Sequence, residues 1–373
     1  MLACKNKSIA RNEGWLKLET RYQQCRSCFF STQFPRVTIY ENGKCNFCNS
    51  REFPATVKAQ TGSDINELHR IAEELKQKKQ GKYDCIIGAS GGLDSSYVIY
   101  VAKKVLGLNP LVISYDHGFT CDVAKNNLQT ICKKLGVDFK IVRSAKDNNV
   151  KHVKFLVLAL KNIDIYWGLC QFCRYLRPAV IYKYALRENI SATLTSRNMY
   201  EATNLAGLPA GRKLKSMLRG MLKLLNIVKL AKFLFYFPIA LYYLLRLKLE
   251  FYVPPVSNIF RRDPKPPKIE TINITRYVPW DINSIVKTLT EEMGWKAPNL
   301  MLPMRFDCQI DDSFIDYTFR KTFGVTSHAV ICNNLICDGT RTKSQLKDTV
   351  EFHDKIVNER IQEMMGRLGL KSK

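Results

Sequence analysis

The chain has 373 residues, enough for two domains at roughly 100–200 residues each and for a sizeable core. Hydrophobic residues make up 46% and charged residues 24%, which excludes wholesale disorder. The 58 Lys+Arg against 33 Asp+Glu leave a net charge of +25, so an anionic partner is expected: nucleic acid, phospholipid or a nucleotide-bearing substrate.

Residues 1–20 read as a polar lead-in without the apolar core of a signal peptide, and a cytoplasmic protein is expected. Thirteen cysteines are too few for a disulfide scaffold in a chain this long. Their CxxC pairs point instead to a reducing compartment and to metal or redox use. A cysteine-rich module follows at about 21–50, and an N-terminal zinc-binding module is expected over 1–60. Over Asp64–Gln80, Ile65, Leu68, Ile71, Ala72 and Leu75 recur at helical spacing behind a cap at Ser63 or Asp64.

From residue 82 the pattern becomes strand, loop and helix, repeated. Apolar runs predict strands at Asp84–Gly88, Leu111–Tyr115, Phe139–Val142 and Ala192–Thr195, with helices at Ser95–Leu106, Val123–Leu135 and 174–188. Such alternation predicts an α/β fold with a doubly wound parallel sheet over 61–202, which binds ligands at the carboxyl ends of its strands.

Residues 203–268 carry 13 Lys+Arg and only two acids, Glu250 and Asp263. Their longest uncharged run, Phe233–Leu245, is 13 residues and contains Pro238, short of the about 18–20 that a membrane span needs. The sequence therefore predicts a basic, apolar helical segment and no span. Packing on the core, docking on the inner face of a membrane and contact with a partner are all open to it. After the proline-rich stretch 254–267, a mostly helical region over 269–373 is expected to complete the site.

The sharpest local signal is Ser90-Gly91-Gly92-Leu93-Asp94-Ser95-Ser96, a buried strand running through a glycine turn into a helix. The glycines let main-chain N–H groups approach an anion, the helix N-terminus adds partial positive charge, and Ser95 and Ser96 add hydroxyls. Cys25-x2-Cys28 and Cys45-x2-Cys48, 16 residues apart, form the spacing of a closed tetrahedral Cys4 site, with structural zinc expected. A module this small should not fold without its metal. A third pair, Cys170-x2-Cys173, opens a helix, where the N-terminus and Arg174 are expected to favour thiolates. An iron–sulfur cluster, a second metal, a persulfide carrier and two buried thiols all remain open for it, with Cys308, Cys332 and Cys337 as further ligands.

The Ser90–Ser96 motif resembles the PP-loop of the ATP pyrophosphatase superfamily, adenine-nucleotide alpha-hydrolase-like proteins that split ATP into AMP and pyrophosphate. The resemblance implies Mg²⁺ held with help from Asp94, catalytic roles for Asp94 and Ser95, and adenosine near Asp116 and His117. It also implies a second ATP segment over Ser196–Glu201, with Asn198 and Glu201 as its binding residues.

With Cys25–Cys28, Tyr40–Cys48, Cys170/Cys173 followed by Arg174, and Asp338-Gly339-Thr340-Arg341, nearly the whole chain resembles the N-acetyl sugar amidotransferase family. Cys337 stands where that family commonly has Arg. The resemblance implies conversion of the acetamido group of a nucleotide-linked sugar to an acetamidino group in lipopolysaccharide O-antigen or related glycan synthesis, with Cys170 and Cys173 in the site. Ammonia would come from separate glutaminase and cyclase-like subunits. A tRNA-modifying PP-loop enzyme, either a thiolase or a lysidine-type ligase, is the alternative. Against it, Ser196–Glu201 lacks a His-rich Gly-His-x-x-Asp-Asp form, and nucleic acid is not the expected partner.

Overall fold

The computed structural model describes residues 22–50, 64–161, 164, 166, 168–196, 227–252, 269–297 and 305–370. A short helix α1 (Asn46–Ser50) closes the cysteine-rich segment. Helix α2 (Ile65–Gln77) starts at Asp64, whose carboxylate accepts the Glu67 N–H, and buries Leu68, Ala72 and Leu75 as its spacing predicts. The sheet begins with β1 (Cys85–Gly88), which runs into α3 (Leu93–Tyr100) and a π-helical continuation over Val101–Val105. Strand β2 (Pro110–Asp116), helix α4 (Asp122–Leu135) and strand β3 (Phe139–Arg143) follow, with Gly136 closing α4 in the left-handed conformation.

Helix α5 (Asn148–Leu160) has no counterpart in the sequence reading, whereas α6 (Gln171–Arg187) and β4 (Ala192–Thr195) do. Next come the long α7 (Ile227–Glu250), strand β5 (Glu270–Asn273) and α8 (Ile282–Met293). A π-helical turn over Asp311–Ile315 leads into α9 (Asp316–Phe323), followed by α10 (Ser327–Cys337) and α11 (Lys343–Arg367).

All five strands are parallel, in the order β3-β2-β1-β4-β5. Side chains alternate between two cores as strand geometry requires. Ile87, Val112 and Leu194 face α2, α3, α4 and α8, whereas Ile86, Leu111 and Ile113 face α5, α6 and α7. The sheet is therefore doubly wound, as expected, and its order reverses between β1 and β4. Strand β5 extends it past the region the sequence assigned to helices, because Ile272 alone of its four residues is buried and no apolar run announces it.

Helix α7 packs on α5 and α6 through Phe233, Ala240 and Leu247. Although its uncharged run is short, Leu230–Glu250 has a mean hydropathy of 1.4 and, by length and composition, is long enough to cross a membrane. Scattered basic residues hid that length from a test on uncharged runs. Asn198, Glu201 and most of the basic segment's first half lie outside the described residues.

Candidate functional site

The turn from β1 into α3 is folded on its own serines. Ser90 N–H donates to Ser95 Oγ at 3.2 Å, Gly92 N–H donates to Ser90 Oγ at 3.4 Å, and Ser95 Oγ–H donates to Gly92 O at 3.3 Å. Gly91 has φ +86°, and a Cβ there would lie 1.8 Å from the Ala124 carbonyl oxygen, so only glycine fits. Its carbonyl accepts the Trp295 indole N–H at 3.2 Å, which ties the loop to the end of α8. Gly92 starts α3 without a side-chain cap, and the helix presents its N-terminal N–H groups and positive dipole end where Gly92, Leu93, Asp94 and Ser95 line a cavity.

That cavity, about 840 Å³, opens at the carboxyl ends of β1, β2 and β4, where the strand order reverses. Ser90 lines it with the loop, His117 enters from beyond β2, and Ser196 from beyond β4. The Phe119 N–H donates to His117 Nδ1 at 3.2 Å, leaving Nε2–H as a donor. Burial, aided by the charge of Arg177, pushes the His117 pKa down to about 4, so the ring is neutral at pH 7.

Three expected residues lie away from the cavity wall. Gly91 faces Ala124, and Ser96 is fully buried on the core side of α3. Asp116 turns back on its own chain, accepting the Gly118 N–H at 2.8 Å, and lies 3.8 Å from Arg143.

The cavity is also lined by Cys170, Cys173 and Arg177 from the start of α6, with Arg305, Asp307, Cys308 and Asp311. Arg305 Nε donates to Asp311 at 2.8 Å. Asp307 sits against the loop, its Cγ 3.3 Å from where a Gly92 Cβ would be. The sequence reading missed Arg177, Arg305, Asp307 and Asp311. One signal was present: Arg177 lies one helical turn beyond Cys173.

The thiols correct an expectation. Each is half-buried at the cavity wall, yet the surrounding protein pushes Cys173 up to about 12 and Cys170 and Cys308 well above the ordinary thiol range. Burial outweighs the opposing charge of Arg177 at Cys173 and of Arg305 at Cys170. Metal-free, these are thiols at neutral pH, not thiolates. Of the further ligands considered, only Cys308 joins the pair. Cys332 is buried in the core, and Cys337 Sγ lies 3.8 Å from Cys48.

Cys25, Cys28, Cys45 and Cys48 bring their sulfurs within 4.8 Å of one another. The Cys45 N–H points at Cys25 Sγ at 3.2 Å, and Gly43, with φ +74°, makes the turn before the second knuckle. Hydrogen bonds among these four thiols and Cys337 hold Cys25 and Cys48 low and push Cys28 and Cys45 up. This soft, closed donor set fits a tetrahedral metal such as zinc, which would hold the two knuckles together. The module docks on the C-terminal helices: Phe29 N–H donates to Asn333 Oδ1 at 2.7 Å, and Lys343 Nζ to Cys25 O at 3.0 Å.

A second group within 4.8 Å comprises Asp312, Asp316, His328 and His353. It is partly engaged: Asp316 accepts from His328 and Ser327, and Asp312 lies 2.5 Å from Arg360, whereas Asp312 Oδ1, His328 Nε2 and both His353 nitrogens have no hydrogen-bond partner. His353 stacks on His328 with centroids 3.7 Å apart and planes at 11°, which does not aim two nitrogens at one ion. It is a buried charge network behind Asp311 in the cavity wall.

No protein-family model matches the chain. It is 30% identical over 122 residues to an uncharacterized protein of Methanocaldococcus jannaschii, covering 32% of this chain and 42% of that one. It is 25% identical over 134 residues to a glutamine-hydrolyzing GMP synthase of Pyrobaculum aerophilum, covering 35% of this chain and 25% of the synthase. The chain thus spans less than half the length of these curated relatives. With the Ser90–Ser96 loop in its strand–helix turn, the match to the GMP synthase supports a PP-loop, ATP-pyrophosphatase-like superfamily. Among solved structures, the U34-tRNA thiolase NcsA from Methanococcus maripaludis, with its 4Fe-4S cluster, overlaps 90% of this chain and 87% of its own at 15% identity. Its TM-score of 0.33 is too low to carry anything over to this chain.

Proposed function

We propose that this chain is an ATP-dependent N-acetyl sugar amidotransferase that activates an acetamido oxygen by adenylylation. The observation that carries the reading is the uncapped start of α3 behind Ser90–Gly92, opening into a cavity that Arg177 and Arg305 also line. The acetamido oxygen attacks the α-phosphorus of ATP, and pyrophosphate leaves onto the N–H groups and hydroxyls of Ser90–Ser95. Ammonia then adds to the activated carbon, AMP departs with the former acetamido oxygen, and an acetamidino group remains. Neutral His117 donates a hydrogen bond beside the nucleotide, and Arg177 and Arg305 receive the diphosphate of a nucleotide-linked sugar. Asp94 and Asp307 flank the loop where Mg²⁺ would screen the phosphates.

Ammonia is supplied by separate glutaminase and cyclase-like subunits. The test is pyrophosphate release by purified protein across a panel of UDP-N-acetyl sugars with ammonium or glutamine, with Ser95→Ala as control. Release with a sugar and ammonium, but not glutamine, is expected; release with neither overturns the reading.

One observation favours a second reading. Cys308 meets Cys170 and Cys173 at the cavity wall, and three thiols suit an iron–sulfur cluster or a sulfur carrier in tRNA thiolation. Pyrophosphate release dependent on tRNA, with sulfur incorporated, would select it.

A further inference from the structure

Thirteen large hydrophobic side chains are exposed among the described residues, and eight of them lie between Val228 and Tyr252. On α7 they form a stripe. Val228, Phe235, Tyr242 and Leu249 recur every seven residues, with Leu234 and Leu241 beside them, and Phe235 is 66% exposed. Seven residues are about two helical turns, so this is one face of the helix. The opposite face has the same period: Phe233, Ala240 and Leu247 are buried on α5 and α6.

Charge on this surface is of one sign. Exposed Lys232 and Arg246 border the stripe on one flank, and Lys248 lies on the other. The helix has a single acid, Glu250, and it is turned inward to accept the Ala145 N–H at 2.7 Å. Neighbouring α5 brings Lys151 and Lys154 and no acid.

We propose that the exposed face of α7 is a docking surface for an anionic lipid bilayer, lying in the headgroup plane with its Phe, Tyr and Leu side chains among the acyl chains. Three features select this occupant. A lipid surface takes an apolar stripe and basic flanks together, as a helix in the interface plane does. A second copy of this chain would set one basic face against another, within a chain of net charge +25. A span is opposed by the inward face, where His152 Nδ1–H donates to Ala240 O at 2.8 Å and Phe155 stacks on Tyr243 at 5.7 Å. Stripping that face into lipid would break the packing on α5. The inference rests on α7 alone and does not depend on the reaction.

The test is co-flotation of the full-length protein with vesicles of phosphatidylcholine alone or mixed with phosphatidylserine. Mixed vesicles should bind about a hundredfold better, from three basic side chains at roughly fivefold each, with the difference shrinking in high salt. A Leu234→Ser/Phe235→Ser/Tyr242→Ser variant should lose binding while nearly keeping the wild-type melting temperature, since all three side chains are more than half exposed and the ring contacts of Phe235 and Tyr242 are with neighbours on α7 itself. Lys232→Glu/Arg246→Glu should lose the preference for phosphatidylserine with its apolar stripe intact. Failure of wild-type protein to float with mixed vesicles at low salt overturns the proposal. So does retention in the membrane after alkaline carbonate, which marks a span, or a dimer in solution that the triple variant abolishes.

Discussion

His328 Nδ1 lies 2.7 Å from a carboxylate oxygen of Asp316, and neither side chain is more than 2% exposed. Burial alone would push the histidine down and the aspartate up. The pair's mutual attraction and hydrogen bond win, raising His328 above 6.5 and lowering Asp316 to about 2. Stability from the raised histidine is full below pH 6.5 and is lost as pH rises through its folded value. Stability from the depressed aspartate is full above pH 3.8 and is lost as pH falls towards 2. Asp316→Asn removes the hydrogen-bonded carboxylate of this buried cation, leaving only Asp312 at 3.5 Å opposite it, and should cost up to about 3–5 kcal/mol at pH 6. It should also flatten the decline in stability above pH 6.5. Urea midpoints measured from pH 5 to 9 check both; an unchanged slope would count against the pair.

Gly91 and Gly92 are adjacent, yet the structure assigns them different tolerances. Alanine at Gly91 meets the Ala124 carbonyl at 1.8 Å with φ at +86°. Left-handed strain of about 1–2 kcal/mol adds to overpacking of about 1–3 kcal/mol, so Gly91→Ala should lower the melting temperature sharply. Gly92 has φ −69°, and its added methyl would press on the Asp307 carboxylate at 3.3 Å. Gly92→Ala should therefore fold normally and lose at least about tenfold in pyrophosphate release, roughly 1.4 kcal/mol of transition-state stabilisation. Equal melting temperatures for the two variants would falsify this division of labour.

The cysteine module should depend on its metal. Chelation, or Cys28→Ser, is expected to remove one metal per chain and to speed amide exchange across residues 22–50, because sulfur–metal bonds fold so small a segment. Asn333→Ala leaves the knuckles intact but orphans the buried Phe29 N–H, costing about 1–3 kcal/mol. Metal content measured alongside exchange separates the two: the Asn333 variant should keep its metal.

What the sequence discloses and what it hides follow from range. Continuous apolar runs mark β1, β2 and β4 because both faces of those strands are buried, and the serine–glycine turn is local chemistry. Strand β5 is hidden because one side chain in four is buried. Arg305, Asp307 and Asp311 reach the cavity from far along the chain, at spacings that match no motif. Cys308 and Cys337 were interchangeable as sequence positions, yet the fold sends one to the cavity and the other to the N-terminal module. The helix start and Arg174 also pointed to thiolates at Cys170 and Cys173, because a local reading does not register how much protein surrounds them.

That last point is testable directly. Burial pushes Cys173 from an ordinary 9.0 up to about 12, so its thiolate fraction near neutral pH falls by about a thousandfold. In chelator-treated protein, iodoacetamide at pH 7.5 should modify Cys170, Cys173 and Cys308 far more slowly than a denatured control. Cys308→Ser should leave Cys170 and Cys173 equally slow, because burial, rather than their neighbour's charge, sets both values. Peptide mass spectrometry of timed samples reads each site separately. If Cys173 is alkylated as fast in the folded as in the denatured protein, the thiol is ionised by something stronger than its surroundings, and a bound partner for it must be sought.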